Sequence, residues 1–143
     1  MLVTILAAMT FWQVNAADLV WQTDLTKAQA QAKAEHKMVL LDFTGSDWCG
    51  WCIKFKKEAL DTDDFKTYAA QNLVLVEVDF PHKKNQSADL KQANDALKTR
   101  FDVNGFPTFV VLNQDGKEIG RQEGYAKGGA AAFIEKLDGF KKK

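Results

Sequence analysis

The two cysteines of the chain, Cys49 and Cys52, are separated by only two residues, a spacing that allows redox chemistry. Residues 38–43 form an apolar run that is typical of a buried strand, and the turn-forming residues 44–47 follow it. Residues 53–60 place apolar side chains among lysines, which predicts a short helix packed on one side. The cysteine pair therefore lies where a strand leads into a helix.

The start of a helix favours a reactive thiol. Its unpaired N–H groups and the positive end of its dipole stabilise the thiolate, which is the nucleophilic form of cysteine. A cysteine three positions later lies one turn further along the helix, within reach of the first sulfur. We therefore expect Cys49 to attack a substrate disulfide, and Cys52, more buried and with a higher pKa, to resolve the mixed disulfide.

Two other interpretations of the cysteine pair are weaker. A structural zinc site needs two more ligands, and the two histidines, His36 and His82, are far apart in the sequence. A permanent disulfide that closes a four-residue loop would constrain the unfolded chain little. No metal and no bound cofactor is expected, because the cysteines themselves carry the electrons.

The residues around the pair resemble the thioredoxin superfamily, and most closely its exported bacterial members that are similar to disulfide isomerases. The resemblance covers roughly residues 20 to 140 and implies an α/β fold, with a mixed β-sheet flanked by helices on both faces. It rests on three stretches, Trp48-Cys49-Gly50-Trp51-Cys52, Asp42-Phe43 before it and Gly105-Phe106-Pro107-Thr108 after it.

The resemblance also implies a role for Asp42. In thioredoxin-like proteins the matching acid is buried and helps to deprotonate the resolving cysteine, and burial raises the pKa of such a carboxyl. Asp42 lies seven residues before Cys49, one more than in the family's minimal pattern, so the turn carries an extra residue. The alternative is an acid on a strand that points to solvent.

Pro107 matches the family's cis-proline, which faces the active site, and Thr108 opens the strand that follows. Phe106 occupies a position whose backbone binds an extended substrate segment in the family. A smaller aliphatic residue is usual there, and the alternative for Phe106 is an ordinary place in the core. Phe106 and Thr108 are therefore predicted to contact substrate.

Trp48 matches a tryptophan of the family, and Gly50 and Trp51 form the dipeptide between the cysteines. Large exposed rings beside a nucleophile would give unfolded substrates an apolar contact surface. We therefore place these three residues in the predicted substrate site. The alternative for the two tryptophans is packing against the helix.

The composition is that of one globular domain without a charge bias. The 143 residues are 46% hydrophobic, and 19 basic residues balance 19 acidic ones, so no electrostatic argument favours nucleic acid as a partner.

Strands and helices alternate along the chain, which indicates an α/β fold. In the helix capped by Ser87, Asn94 is placed at the edge of the apolar face. The predicted elements are strands over 19–22, 38–43 and 73–79, a helix over 25–37, a helix from 49 to 60 that residues 61–64 restart or kink before it continues to 71, a helix from 87 to 101, a hairpin over 108–112 and 118–122, and a helix from 130.

The first 17 residues carry no charged side chain. An apolar run over residues 2–12 precedes Val14-Asn15-Ala16, which resembles a cleavage site, and the run is shorter than the ~20 residues of a membrane span. We interpret residues 1–16 as a signal peptide and residues 17–143 as the thioredoxin-like domain, and the alternatives for the first segment are an uncleaved anchor and an ordinary buried segment. Export to the periplasm would place the thiols in an oxidising compartment.

The leading functional hypothesis is a monomeric thiol–disulfide oxidoreductase that reduces or isomerises protein disulfides, with a membrane-borne thiol reductase as electron donor. Asp42 and Asp47 would oppose a second negative charge at the thiols, which predicts a potential nearer ~−270 mV than ~−120 mV. Two alternatives stay open. One is a redox-linked Cu(I) chaperone, which would use the thiolates as soft ligands although Met38 is the only methionine of the predicted mature chain. The other is a peptide-binding module with idle thiols.

Overall fold

The computed structural model describes residues 18–142, which form one five-stranded sheet with the strand order β1-β3-β2-β4-β5. The first three strands in sequence run parallel, whereas β4 is antiparallel to β2 and β5 is antiparallel to β4. The predicted mixed sheet is therefore confirmed. The strands are β1 (Trp21–Gln22), β2 (Met38–Thr44), β3 (Leu73–Asp79), β4 (Thr108–Leu112) and β5 (Glu118–Glu123).

Helices cover both faces of the sheet, as the resemblance implied. One core cluster joins Phe55, Phe65 and Phe133 to the sheet, and the other places Ala28 and Ala32 against the opposite face. The buried face of the helix over residues 25–35 consists of Ala28 and Ala32, whose small side chains let the helix pack closely on the sheet. The helices are α1 (Leu25–Glu35), α2 (Gly50–Phe55) with a π-helical continuation (Lys56–Leu60), α3 (Asp63–Asn72), α4 (Ala88–Arg100) and α5 (Gly129–Lys141).

The central strand β2 is buried along its whole length. Val39, Leu41 and Phe43 contact the core cluster that contains α1, whereas Met38 and Leu40 contact the cluster that contains α2, α3 and α5. Such a strand needs apolar side chains on both faces, which explains its continuous apolar run. β2 leads directly into the turn that holds the cysteines.

The predicted restart after residue 60 is confirmed, because the π-helical turn ends at Leu60 and a new helix begins at Asp63. Its N-cap is Thr62, whose side chain accepts a hydrogen bond from the Phe65 N–H. Two other local predictions are corrected by the structure. The first helix ends at Glu35, not at residue 37, because His36 adopts a left-handed conformation. Asn94 lies in the middle of the buried face of α4 rather than at its edge, because its amide donates to the Asp79 carbonyl at 2.9 Å.

The predicted signal peptide lies outside the described residues. Within residues 18–142, no helix is both long enough and apolar enough to cross a membrane.

Candidate active site

Cys49 and Cys52 are joined in a disulfide, with their Cα atoms 5.2 Å apart. Cys49 is the N-cap of α2, and its Sγ accepts a hydrogen bond from the Cys52 N–H at 3.3 Å. The helix N-terminus is therefore directed at the Cys49 sulfur, as predicted, and favours its thiolate in the reduced form. The expected difference in exposure is small in this disulfide form, since Cys49 is 7% and Cys52 5% exposed.

Asp42 is buried beneath the cysteines and is 9% exposed. It lies on β2 between Glu77 of β3 and Phe109 of β4. Its Oδ1 atom accepts no hydrogen bond from the described part of the chain. Burial, followed by the charges of Glu77 and Asp79, raises the pKa of Asp42 to about 8. The alternative of an acid that points to solvent is therefore wrong.

A cleft of about 320 Å³ connects this carboxyl with the second cysteine, because Asp42 and Cys52 both line it. Glu77 and Lys56 line the same cleft. Neither residue was singled out by the sequence, since Glu77 is distant in the chain and Lys56 is one of several lysines in the predicted helix. The Asp42 carboxyl and the Cys52 sulfur therefore share a cleft that is also lined by ionisable side chains.

Trp48 is fixed by the turn and by the loop that follows β3. Its Nε1 donates to the Phe80 carbonyl at 2.7 Å, and its indole stacks on His82 with a centroid distance of 4.3 Å. A Cβ on Gly45 would collide with this indole, so glycine is needed there for close approach. No sequence pattern assigned a role to His82, which the fold brings to the site.

Asp47 fixes the same loop from the other side. Its carboxylate accepts three backbone hydrogen bonds, from His82 at 2.9 Å, Lys83 at 2.7 Å and Lys84 at 2.8 Å. The bond from His82, with those from Lys84 and Lys83, lowers the pKa of Asp47 to about 2. These hydrogen bonds keep Asp47 ionised, and its expected opposition to a thiolate at the cysteines stays a prediction.

The exposed rim of the site is apolar. Trp51, Ile53 and Trp48 are 58%, 49% and 41% exposed. The Trp51 ring contacts the Tyr125 ring at 5.0 Å, and the Lys54 ammonium lies over both. Ile53, at the start of the stretch predicted to form a helix packed on one side, is about half exposed and also lines the cleft that holds Asp42. A substrate can therefore meet apolar side chains on the α2 side of the disulfide.

Gly50 leaves the space above the disulfide open, since a Cβ there would meet nothing within 4 Å. The Phe106–Pro107 peptide bond is cis. Phe106 is half-buried and stacks on Phe80 at 5.1 Å, so it closes the other side of the rim. Thr108 is buried and its hydroxyl donates to the Gly105 carbonyl at 2.8 Å, so its side chain does not face this surface.

Among residues 18–142, no three His, Cys, Asp or Glu side chains are grouped so that they could hold a metal ion. The cysteine sulfurs are the soft ligands at this site, and they are joined to each other in this structure.

Comparison with known proteins places this site in context. The sequence model of the thioredoxin-like domain matches residues 25–141. The disulfide bond reductase DsbH of Chlamydia pneumoniae is 41% identical over 124 residues, which cover 87% of this chain and 74% of DsbH. The thioredoxin-related protein DsbJ of the same organism is 32% identical over 126 residues, or 84% of this chain, although these span only 36% of DsbJ. A solved structure of a DsbH oxidoreductase superposes with a TM-score of 0.84 at 37% identity, covering 97% of this chain and 95% of that one.

Proposed function

The chain belongs to the thioredoxin-like domain family and is a thiol–disulfide oxidoreductase, and we propose that it reduces disulfide bonds in exported protein substrates. The observation that carries the proposal is the Cys49–Cys52 pair at the start of α2, with a buried carboxyl beneath it. Its 41% identity to a disulfide bond reductase supports the reducing direction.

The first step is attack on the substrate by Cys49. The reduced protein presents a Cys49 thiolate, stabilised by the N-terminus of α2. Its Sγ forms a bond to one sulfur of the substrate disulfide, and the bond between the two substrate sulfurs breaks. The second substrate sulfur leaves as a thiolate and takes a proton from water. The product is a mixed disulfide between Cys49 and the substrate.

The second step releases the substrate. The Cys52 thiol gives its proton to the Asp42 carboxylate, and its Sγ then attacks the Cys49 Sγ. The bond between Cys49 and the substrate breaks, and the electron pair leaves with the substrate sulfur. The substrate disulfide has gained two electrons and the Cys49–Cys52 pair has lost them. Asp42 suits this transfer because a pKa of about 8 makes it a useful base near neutral pH.

The apolar rim supports a protein substrate in an extended conformation. Trp48, Trp51 and Ile53 offer exposed apolar area beside Cys49, and Phe106 closes the other side. Disulfides that need reduction or reshuffling occur in incompletely folded chains, which expose apolar segments. Such a surface binds many sequences, since apolar contact is not directional.

The direction of electron flow follows from the charges beneath the pair. Glu77, and Asp42 when it is ionised, add negative charge on the buried side, and Gly50-Trp51 adds no cation on the exposed side. The thiolate is therefore only moderately favoured, which supports a potential near ~−270 mV rather than ~−120 mV. A reductase of this potential in the periplasm needs a membrane-borne thiol reductase as electron donor, and residues 1–16 would direct its export.

Insulin reduction by dithiothreitol tests the activity. The protein should accelerate precipitation of the insulin B chain, and the Cys49→Ser variant should not. A Cu(I) chaperone or a binding module with idle thiols would leave the rate unchanged. Equilibration with glutathione, followed by tryptophan fluorescence, tests the direction, because a potential near ~−120 mV would make the protein a disulfide donor.

A further inference from the structure

Asp42 and Glu77 are direct neighbours across the parallel strands β2 and β3. Adjacent strands lie about 4.8 Å apart, and side chains of paired residues point to the same face of the sheet. On β2 this face is marked by Leu40, and on β3 by Leu75, both of which belong to the core cluster beneath α2. The two carboxyl groups thus lie side by side below Cys52.

No cation separates the two acids within the sheet. The other strand neighbour of Asp42 is Phe109, whose ring carries no charge. Lys56 of the π-helical turn is the cation whose charge acts on both acids, but its ammonium is bonded to the Asp61 carboxylate at the surface. The Lys56 ammonium is therefore partly engaged elsewhere, and the Lys84 ammonium acts in addition on Glu77.

Further charged groups act on the pair, and Asp79 and Lys84 are among them. Asp79 is on the same strand as Glu77, and its carboxylate accepts hydrogen bonds from the Ser46 N–H and hydroxyl. The Lys84 ammonium, from the loop after β3, donates to the Ser46 hydroxyl. Asp18 and Lys66 form an ion pair at the far end of the cleft. All of these groups stay the same when Glu77 alone is changed.

The two acids differ in their access to water. Asp42 is buried, with an Oδ1 atom that has no hydrogen-bond partner among residues 18–142. Glu77 is half-buried and lines the same cleft. Two carboxylates this close repel each other strongly when both are ionised, so the pair retains one proton over a range of pH in which isolated carboxyls have none.

We propose that Glu77 is a positioning residue of the reaction, which forms with Asp42 a coupled carboxyl pair that shares one proton and sets the pH at which Asp42 accepts the Cys52 proton. The role deepens the proposed function and rests on it. In resolution, the proton leaves the Cys52 Sγ and adds to the ionised Asp42 carboxylate. It then passes through Glu77 to water in the cleft, so Asp42 is ionised again for the next turnover.

The coupling is measured by NMR titration of the side-chain carboxyl carbons in the oxidised protein, which has no thiols to interfere. In Glu77→Gln, the pKa of Asp42 should fall by at least about one pH unit, because a neighbouring negative charge is removed. In Asp42→Asn, the pKa of Glu77 should fall by the same amount, since a coupling between two sites is reciprocal. Glu118→Gln on β5, also a half-buried strand glutamate, should leave both titrations unchanged.

The kinetic readout is the rate of mixed-disulfide resolution against pH. Its rising limb should move to lower pH by at least about one unit in Glu77→Gln and stay in place in Glu118→Gln. A purely structural role for Glu77 would change the stability without moving this limb. If Glu77→Gln does not fold, the shift of the Glu77 titration in Asp42→Asn tests the coupling by itself.

The outcomes separate the two proposals. Independent titrations of Asp42 and Glu77, together with a normal insulin assay, would refute the role of Glu77 alone. If the wild-type protein does not accelerate insulin reduction although the titrations of Asp42 and Glu77 are coupled, the reductase function alone is refuted.

Discussion

Replacing Asp42 by Asn should stabilise the protein, and the gain should increase with pH. The folded state raises the pKa of Asp42 from 3.8 to about 8, mainly because the carboxyl is buried. Between these values the folded state binds one proton more than the unfolded state. The free energy of unfolding therefore falls as the pH rises, by at most about 1.4 kcal/mol per pH unit. The asparagine side chain of the variant would be neutral in both states and would escape this loss.

The magnitude follows from that slope. Between pH 5 and pH 7 the wild-type protein should lose about 2–3 kcal/mol of stability relative to Asp42→Asn. Urea denaturation of both oxidised proteins at the two pH values measures the difference. Asp95→Asn, at an exposed position of α4, is the matched control. Its free energy of unfolding should differ from that of the wild type by the same amount at pH 5 and at pH 7.

The same variant should be slow in catalysis, because Asn cannot take the Cys52 proton. Resolution of the mixed disulfide should slow by about 100-fold or more near neutral pH. If the free energies of unfolding of wild type and Asp42→Asn change with pH in the same way, the raised pKa of Asp42 is contradicted. A variant that is less stable at pH 7 and keeps the wild-type pH–rate profile would identify Asp42 as a structural partner.

Four further variants test the remaining geometry. Cys52→Ala should accumulate mixed disulfides with substrate on a non-reducing gel and Cys49→Ala should not, and equal trapping would refute the order of attack. Gly45→Ala should displace the indole of Trp48, seen as a red shift in its fluorescence and a slower insulin assay, and an unchanged spectrum would contradict the close packing. Asp47→Ala should speed hydrogen exchange at the three backbone amides that donate to the Asp47 carboxylate, and it should not move the pKa of Asp42. Unchanged exchange rates at these amides would show that other contacts hold the loop.

The sequence alone determined the chemistry and most of the fold. The spacing of Cys49 and Cys52 and the apolar run before them are local signals, and they predicted a redox pair between a strand and a helix. The run over residues 38–43 predicted a buried strand, and β2 is buried along its length. Asp42 stood out as the one acid in that run, and the structure buries it. These properties depend on residues close together in the chain.

Only the tertiary structure decided what surrounds the pair. The loop after β3 captures the Asp47 carboxylate, and Ile53 stays about half exposed, and no local pattern indicated either arrangement. Glu77 became a neighbour of Asp42 through the register of two parallel strands, which a crossover through α2 and α3 joins. Such a register is set by the packing of the whole sheet. Which side chain lies beside a buried carboxyl, and hence its proton affinity, therefore depends on contacts that no local pattern specifies.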